Sequence, residues 1–195
     1  MTLLTLTLIL FLIMDPIGHV KGFIHCLKGL KPKRKAYIIF REMLIALGFM
    51  LAFNFLGEFL FNLLAISKST IYLTSGLILF LVAIKIIFPK TNGEDIQMPP
   101  GEPFIVPMAI PMIAGPALLA TIMLYAATEV SVLAMVMAII LAWVASCVIL
   151  LNSERILGLL GTSGVTACEK LMGMVLVLIS VQRVAAGVLL LFNNA

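Results

Sequence analysis

The sequence predicts an all-α integral membrane protein of six transmembrane helices, arranged as two inverted three-helix repeats whose first and fourth helices are broken at the midplane. Composition is the first observation behind this prediction. Hydrophobic residues make up 63% of the chain and charged residues 11%, whereas soluble domains are about 45–50% apolar. The other two observations are a series of long apolar segments and a pair of helix-breaking runs inside two of them. We therefore expect the chain to fold in a lipid bilayer.

The apolar segments are long enough to cross a hydrocarbon core about 30 Å thick, which takes roughly 17–25 residues. They are about Thr2–Leu27, Tyr37–Glu58, Thr70–Phe88, Phe104–Ala127, Ser131–Leu151 and Cys168–Phe192. The first qualifies only if the chain continues past Asp15 and Pro16. Residues 89–103 are rich in turn formers and are expected to join a first repeat, 1–88, to a second, 104–195, on the cytoplasmic side.

Basic residues predict the orientation of the spans, because short loops rich in Lys and Arg stay in the cytoplasm. Of the thirteen Lys and Arg residues, all except Lys68 and Arg183 flank the first, third and fifth loops. Both termini are therefore expected on the outer side. The net charge of +4 follows from this topology and does not indicate nucleic-acid binding. Arg183 lies late in the last span, where we expect it to snorkel, although it could pair with an acidic residue or a substrate carboxylate.

Internal repetition indicates that the two halves of the chain share a fold. The segments Gly76–Ile87 and Gly173–Val184 align with Gly in the first position of each. Aligning the helix breaks pairs Pro16 with Pro116 at a nearly equal offset. Because each unit has an odd number of spans, the two copies are expected to sit upside down relative to each other. Secondary transporters often follow this plan, with the substrate near the midplane where the halves meet.

The break in the first span carries an ionisable group. Asp15 lies about 20 Å along a helix that starts at Thr2 and rises 1.5 Å per residue. A carboxylate at that depth is costly and should face a cavity or a partner. Pro16 lacks an N–H, and Gly18 permits backbone conformations closed to other residues. The break should therefore leave unpaired carbonyl groups before it and unpaired amide groups after it.

The break in the fourth span, at Ala114, Gly115 and Pro116, has no charge of its own. A cavity between the two breaks suits a small zwitterion: Asp15 and the carbonyl ends would hold an ammonium group, and the helix N-termini a carboxylate. The structural alternative is that Asp15 only caps the second half-helix and that the prolines are ordinary membrane kinks.

At this point the sequence resembles the MarC family of small bacterial membrane proteins. The resemblance rests on two runs, Met14-Asp15-Pro16-Ile17-Gly18-His19 and Ala109-Ile110-Pro111-Met112-Ile113-Ala114-Gly115-Pro116. It implies a six-span inner-membrane protein, and some members of the family are linked to movement of small neutral amino acids such as alanine, glycine, serine or threonine.

One position departs from the family motif, because His19 stands where Asn is usual. An imidazole can take up or release a proton near neutral pH and an amide cannot, so proton coupling through Asp15 and His19 is a hypothesis. The alternative is that His19 only replaces the hydrogen bond of the Asn. Glu42, near the cytoplasmic end of the second span, is a further candidate for coupling to protons or sodium. Its neighbour Arg41 is expected to snorkel.

Other classes of function are weighed against amino-acid transport. The sequence has no nucleophile elbow, no H-E-x-x-H run, no cysteine-histidine cluster and no glycine-rich phosphate loop, so we expect no enzyme activity, no cofactor and no metal site. A lipid translocator or membrane-remodelling protein on the same repeat is the main alternative, and a structural membrane subunit is the next. The substrate, the direction of transport and the oligomeric state stay open.

Overall fold

A computed structural model describes residues 2–27, 29–63, 66–88, 113–126 and 131–193. The described part is helical, with no strand. Its helices are α1 (Leu3–Met14), α2 (Pro16–Cys26), α3 (Pro32–Leu63), α4 (Lys68–Ile87), α5 (Pro116–Ala126), α6 (Val132–Leu151) and α7 (Ser153–Asn193). The prediction of an all-α fold is confirmed.

Membrane-length apolar helices account for most of the predicted spans. The continuous path of α1 and α2, and the helices α3, α4, α6 and α7, are each long and apolar enough to cross a bilayer. The shorter α5 forms the second part of the predicted fourth span. The first part of that span, and the predicted linker at 89–103, lie outside the described residues. The membrane fold is thus confirmed, and the division into two repeats stays a prediction.

The first span is broken at Asp15, as predicted. Asp15 has φ 41° and ψ 59°, a left-handed conformation that Asp tolerates better than most residues. Its backbone N–H donates to the Phe11 carbonyl at 3.1 Å and ends α1. Its Oδ1 accepts from the Gly18 N–H at 3.2 Å, so the same residue caps the start of α2. Pro16 takes the first helical position, where a missing N–H costs no hydrogen bond.

The last helix starts earlier than the sequence predicted. Instead of a loop before Cys168, α7 begins at Ser153 and bends at Gly161, whose φ of 67° lies outside helical values. Glycine adopts this conformation without a steric penalty, so the chain can turn there and continue as helix. Glu154 in the first turn favours an early start, because a carboxylate interacts well with a helix N-terminus.

In the described part of the chain, α4 and α7 share the most extensive helix contact, and glycines lie in it. A Cβ at Gly76 would meet the Ser180 carbonyl at 3.0 Å. A Cβ at Gly173 would meet Ile86 and Ile87, each at 3.0 Å. The two glycines align in the predicted repeat, and they lie toward opposite ends of the contact between the two helices. A two-fold axis between inverted halves would generate this arrangement.

The remaining helices pack in two similar groups. The broken span, α1 and α2, packs against α6 and α7, while α5 packs against α3 and α4. A hydrogen bond of 2.7 Å from Trp143 Nε1 to the Met43 carbonyl ties α6 to α3. Large apolar side chains such as Leu133, Leu178 and Leu189 remain exposed on the outside of the bundle, where lipid would cover them.

Candidate functional site

The break at Asp15 and the start of α5 meet at one cavity of about 450 Å³. Its walls come from the α1–α2 break, from Ile113 and residues 115–118 at the start of α5, from one face of α4, and from Glu169 of α7. The residues that line it are Ile13, Asp15, Gly18, His19, Leu79, Val82, Lys85, Ile86, Ile113, Gly115, Pro116, Ala117, Leu118 and Glu169. A volume of this size lies in the range of small-molecule sites.

The first wall is built by the cap of α2. Asp15 is 97% buried, since only 3% of its surface is exposed. Gly18 is required next to it, because a Cβ there would overlap the Asp15 carboxylate. The His19 backbone N–H donates to the Asp15 carbonyl at 3.3 Å. The His19 Nδ1 is buried and has no hydrogen-bond partner among the described residues.

The second wall is the start of α5. Gly115 and Pro116 line the cavity, and the Gly115 carbonyl accepts the first helical hydrogen bond from Leu119 at 3.0 Å. The first N–H groups of a helix have no partner within it and carry partial positive charge. Because α2 and α5 both begin at this cavity, two helix N-termini converge on one space, and the Asp15 carboxylate caps that of α2.

Two of the predicted site residues lie behind the cavity. Pro16 and Ala114 are buried in the protein and are absent from the lining. They shape the two breaks, whereas Asp15, Gly18, His19, Gly115 and Pro116 reach the space itself. The part these residues play in binding stays a prediction.

Charged residues that the sequence did not predict also reach the cavity. Glu169 of α7 and Lys85 of α4 line it. Lys21 Nζ donates to Glu169 Oε2 at 3.0 Å and to Thr166 Oγ1 at 2.6 Å. In the sequence, Lys21 and Lys85 served only to predict orientation, and Glu169 was not singled out as a site residue. No local spacing signals that Glu169 lies beside Asp15.

A metal centre is not formed in the described ranges, where no group of three His, Cys, Asp or Glu side chains is placed to hold an ion.

Comparison with known proteins decides the family. The sequence model of one family, described as MarC family integral membrane protein, matches residues 1–192. The chain belongs to the MarC family.

Relatives of this MarC-family chain match it over nearly its whole length. The UPF0056 inner membrane protein YhgN of Escherichia coli (strain K12) is 45% identical over 188 residues, which cover 95% of each chain. A UPF0056 membrane protein of Buchnera aphidicola subsp. Schizaphis graminum is 42% identical over 193 residues, 98% of each chain. A UPF0056 membrane protein of Chlamydia pneumoniae is 32% identical over 195 residues, 98% of this chain and 96% of its own. No solved structure gives a significant match.

The coupling candidate Glu42 lies away from the cavity of this MarC-family member. Its side chain is completely buried, and Oε1 accepts from Arg41 Nε at 2.9 Å and from Nη2 at 2.7 Å. Glu42 does not line the cavity. The Arg41 side chain, expected to snorkel, is 29% exposed and is held in this ion pair.

The prediction that Arg183 snorkels is wrong for this MarC-family member. Arg183 is only 5% exposed. Its Nη1 donates to Thr121 Oγ1 at 3.0 Å and contacts Ser75 Oγ at 3.4 Å, and its guanidinium carbon lies 5.4 Å from the centre of the Tyr125 ring. The α4, α5 and α7 helices pack close enough for hydroxyl groups to reach the guanidinium, so the side chain turns inward.

Proposed function

We propose that this MarC-family protein is a secondary transporter that exports or exchanges small neutral amino acids across the bacterial inner membrane. The observation that carries the proposal is the convergence of two helix N-termini and a buried carboxylate on one cavity. Interrupted helices that meet in this way recur in the binding sites of secondary transporters. The name of the Escherichia coli relative, an inner membrane protein, supports the location.

The cavity offers opposite charges to the two ends of an amino acid. The start of α5 attracts a carboxylate, whereas the start of α2 is already capped by the Asp15 side chain. Asp15 and Glu169, with the last carbonyl groups of α1, attract an ammonium group. Apolar side chains of Ile13 and Ile113 lie in the same wall and suit a small side chain. A zwitterion with a short side chain therefore satisfies the polar groups of the site at once.

Charged residues at one end of the bundle support an orientation of the protein in the membrane. Ion pairs from Lys21 to Glu169 and from Lys35 to Glu154 bring the end of α2 and the starts of α3 and α7 together. Lys85 lies near the last turn of α4 and also lines the cavity. Because basic loops stay in the cytoplasm, this end is the cytoplasmic one in our proposal, and both termini lie outside. The cavity then extends toward the cytoplasm.

Coupling to a proton is part of the proposal, with Asp15 and His19 as the groups that would carry it. Asp15 and His19 lie one helical turn apart, and both line the cavity. One proton could therefore pass with each substrate. Sodium is the other coupling ion that a carboxylate and free carbonyl groups would suit. No cofactor and no enzymatic step are invoked.

The test is counterflow of labelled alanine, glycine, serine and threonine in liposomes that contain the purified protein. Wild type is expected to exchange at least one of them. Asp15→Asn should lower the rate by ~10-fold or more, the loss expected when a hydrogen bond to a charged group is removed. Glu154→Gln is the matched control, because it also neutralises one carboxylate but does so outside the cavity. If inserted Asp15→Asn protein exchanges as wild type does, the site assignment is wrong.

The alternative of lipid translocation draws on a second feature. An apolar groove of about 380 Å³ lies between α4 and α7, lined by Leu77, Phe80, Ser180, Val181, Val184 and Ala185. It suits an acyl chain, but none of its six described lining residues is charged to hold a head group. Transbilayer movement of a fluorescent phospholipid by wild type, without exchange of any amino acid, would favour lipid translocation. A structural subunit predicts that neither activity is found.

A further inference from the structure

Arg183 is a buried cation that has no counterion among the described residues. Two of its contacts are hydroxyl groups, Thr121 and Ser75, and the third is the face of the Tyr125 ring. Its Nη2 is buried and has no hydrogen-bond partner in the part of the chain that the structure describes. Among the residues that the structure describes, no carboxylate lies within ion-pairing distance of this guanidinium.

The hydroxyl groups orient Arg183 but do not neutralise it. Thr121 Oγ1 donates its own hydrogen to the Ala117 carbonyl at 2.6 Å, and Ser75 Oγ donates to the Tyr72 carbonyl at 3.2 Å. Both oxygen atoms therefore act toward Arg183 as acceptors. A guanidinium stays charged in proteins, and a buried charge is normally paired. The unpaired Nη2 therefore leaves a buried charged donor to which an anion could bind.

The position of Arg183 links it to the cavity. Thr121 lies one helical turn after Ala117 and Leu118, which line the cavity, and on the same face of α5. Ser75 lies one turn before Leu79, which lines it from α4. The guanidinium is therefore about one turn beyond the cavity, on the side away from Lys85.

We infer that Arg183, with Thr121 and Ser75, is a carboxylate-binding site on the far side of the cavity, occupied by the substrate as it passes between the cavity and the opposite face of the membrane. A planar guanidinium binds a carboxylate through two parallel hydrogen bonds. Nη2 would supply one of them. That the carboxylate belongs to an amino acid rests on the proposed function, whereas the carboxylate site itself rests on the contacts of Arg183.

The test uses propionate, a small carboxylate, and propionamide, which has the same shape without the charge. Thermal stability of the purified protein is measured against the concentration of each, because a ligand that binds only the folded state raises the melting temperature in a saturable way. Wild type should bind propionate in preference to propionamide. Arg183→Gln should weaken the apparent propionate affinity by ~30-fold or more, as expected when one partner of a buried charge pair is removed.

Two variants sharpen the result. Lys68→Gln is the matched control: it removes one positive charge from an exposed residue that begins α4, and it should bind propionate as wild type does. Arg183→Lys keeps the charge but loses the planar pair of donors, so its preference for propionate should persist with lower affinity. Arg183→Lys also tests the carboxylate site if the Arg183→Gln protein does not fold. Unchanged propionate affinity in Arg183→Gln, or in Arg183→Lys, would overturn the site.

The outcomes separate this inference from the proposed function. Wild type that binds propionate through Arg183 but exchanges none of the labelled amino acids supports the carboxylate site and removes the amino-acid proposal. If wild type exchanges alanine and Arg183→Gln leaves propionate binding unchanged, the amino-acid proposal is supported and the carboxylate site is removed. Equal stabilisation of wild type by propionate and propionamide contradicts the carboxylate site.

Discussion

Lys21 Nζ lies 3.0 Å from Glu169 Oε2, which joins α2 to α7 at the edge of the cavity that contains Asp15. The two side chains are 38% and 24% exposed. A pair as solvated as this one contributes at most about 1 kcal/mol to stability. Its greater consequence is that it fixes a second carboxylate beside the broken helix.

Glu169→Gln is therefore expected to affect transport more than stability. The melting temperature should change little, because the ion pair is partly solvated. The concentration of amino acid needed for half-maximal exchange should rise by ~10-fold, since a charged hydrogen-bond acceptor leaves the cavity. Liposome exchange and thermal unfolding of the same preparation measure the two effects.

The control for this prediction is Glu154→Gln. It breaks the ion pair between Lys35 and Glu154, whose atoms lie 2.6 Å apart, at the same end of the bundle. Because Glu154 does not line the cavity, exchange should be unaffected. Equal loss of exchange in both variants would mean that Glu169 acts through general charge at this end and does not contact the substrate.

Gly18→Ala should disturb the cap of α2. The added Cβ would overlap the Asp15 carboxylate, which must then move away from the Gly18 N–H. We expect a loss of about 1–2 kcal/mol of stability, the usual cost of losing a helix N-cap, together with loss of exchange. Gly48→Ala, at a helical glycine of α3 with open space around it, should be neutral or slightly stabilising. Identical behaviour of the two variants would contradict the tight fit at Gly18.

Gly76→Ala tests the contact between α4 and α7. A Cβ there would meet the Val184 side chain at 2.8 Å and backbone atoms of Ser180 and Val184 at 3.0 Å. Backbone cannot move aside cheaply, so we expect a cost of about 1–3 kcal/mol. Gly173→Ala should cost less, because it meets only the side chains of Ile86 and Ile87. The free energies of unfolding of the two variants in detergent are compared. A larger loss for Gly173→Ala than for Gly76→Ala would mean that α4 and α7 pack differently.

His19→Asn restores the residue usual in the family motif and tests proton coupling. Exchange of the best amino acid should persist, because an amide can still hydrogen-bond in the cavity. The dependence of exchange on pH should flatten, since an imidazole can take up and release a proton and an amide cannot. A pH profile that matches wild type would end the proposal that His19 carries the coupling proton.

Local chemistry explains what could be predicted without the structure. The apolar segments could be predicted from composition. They were expected to be helical, because a bilayer admits only backbones that satisfy their own hydrogen bonds. The break at Asp15 follows from Pro16, which supplies no N–H, and the start of α5 follows from Pro116 in the same way. The extension of α7 back to Ser153 escaped prediction, because a glycine such as Gly161 is compatible with either a loop or a kinked helix.

The sequence by itself determined that this chain is a membrane protein of apolar helices, with interruptions at Asp15 and before Pro116. The helices and their interruptions depend on residues that are adjacent in sequence and on the lipid that surrounds them. Only the tertiary structure decided that Glu169 lies in the Asp15 cavity, that Glu42 lies away from it, and that Arg183 turns inward. These facts depend on which helices pack together, and long-range packing places side chains that have no signal in local sequence.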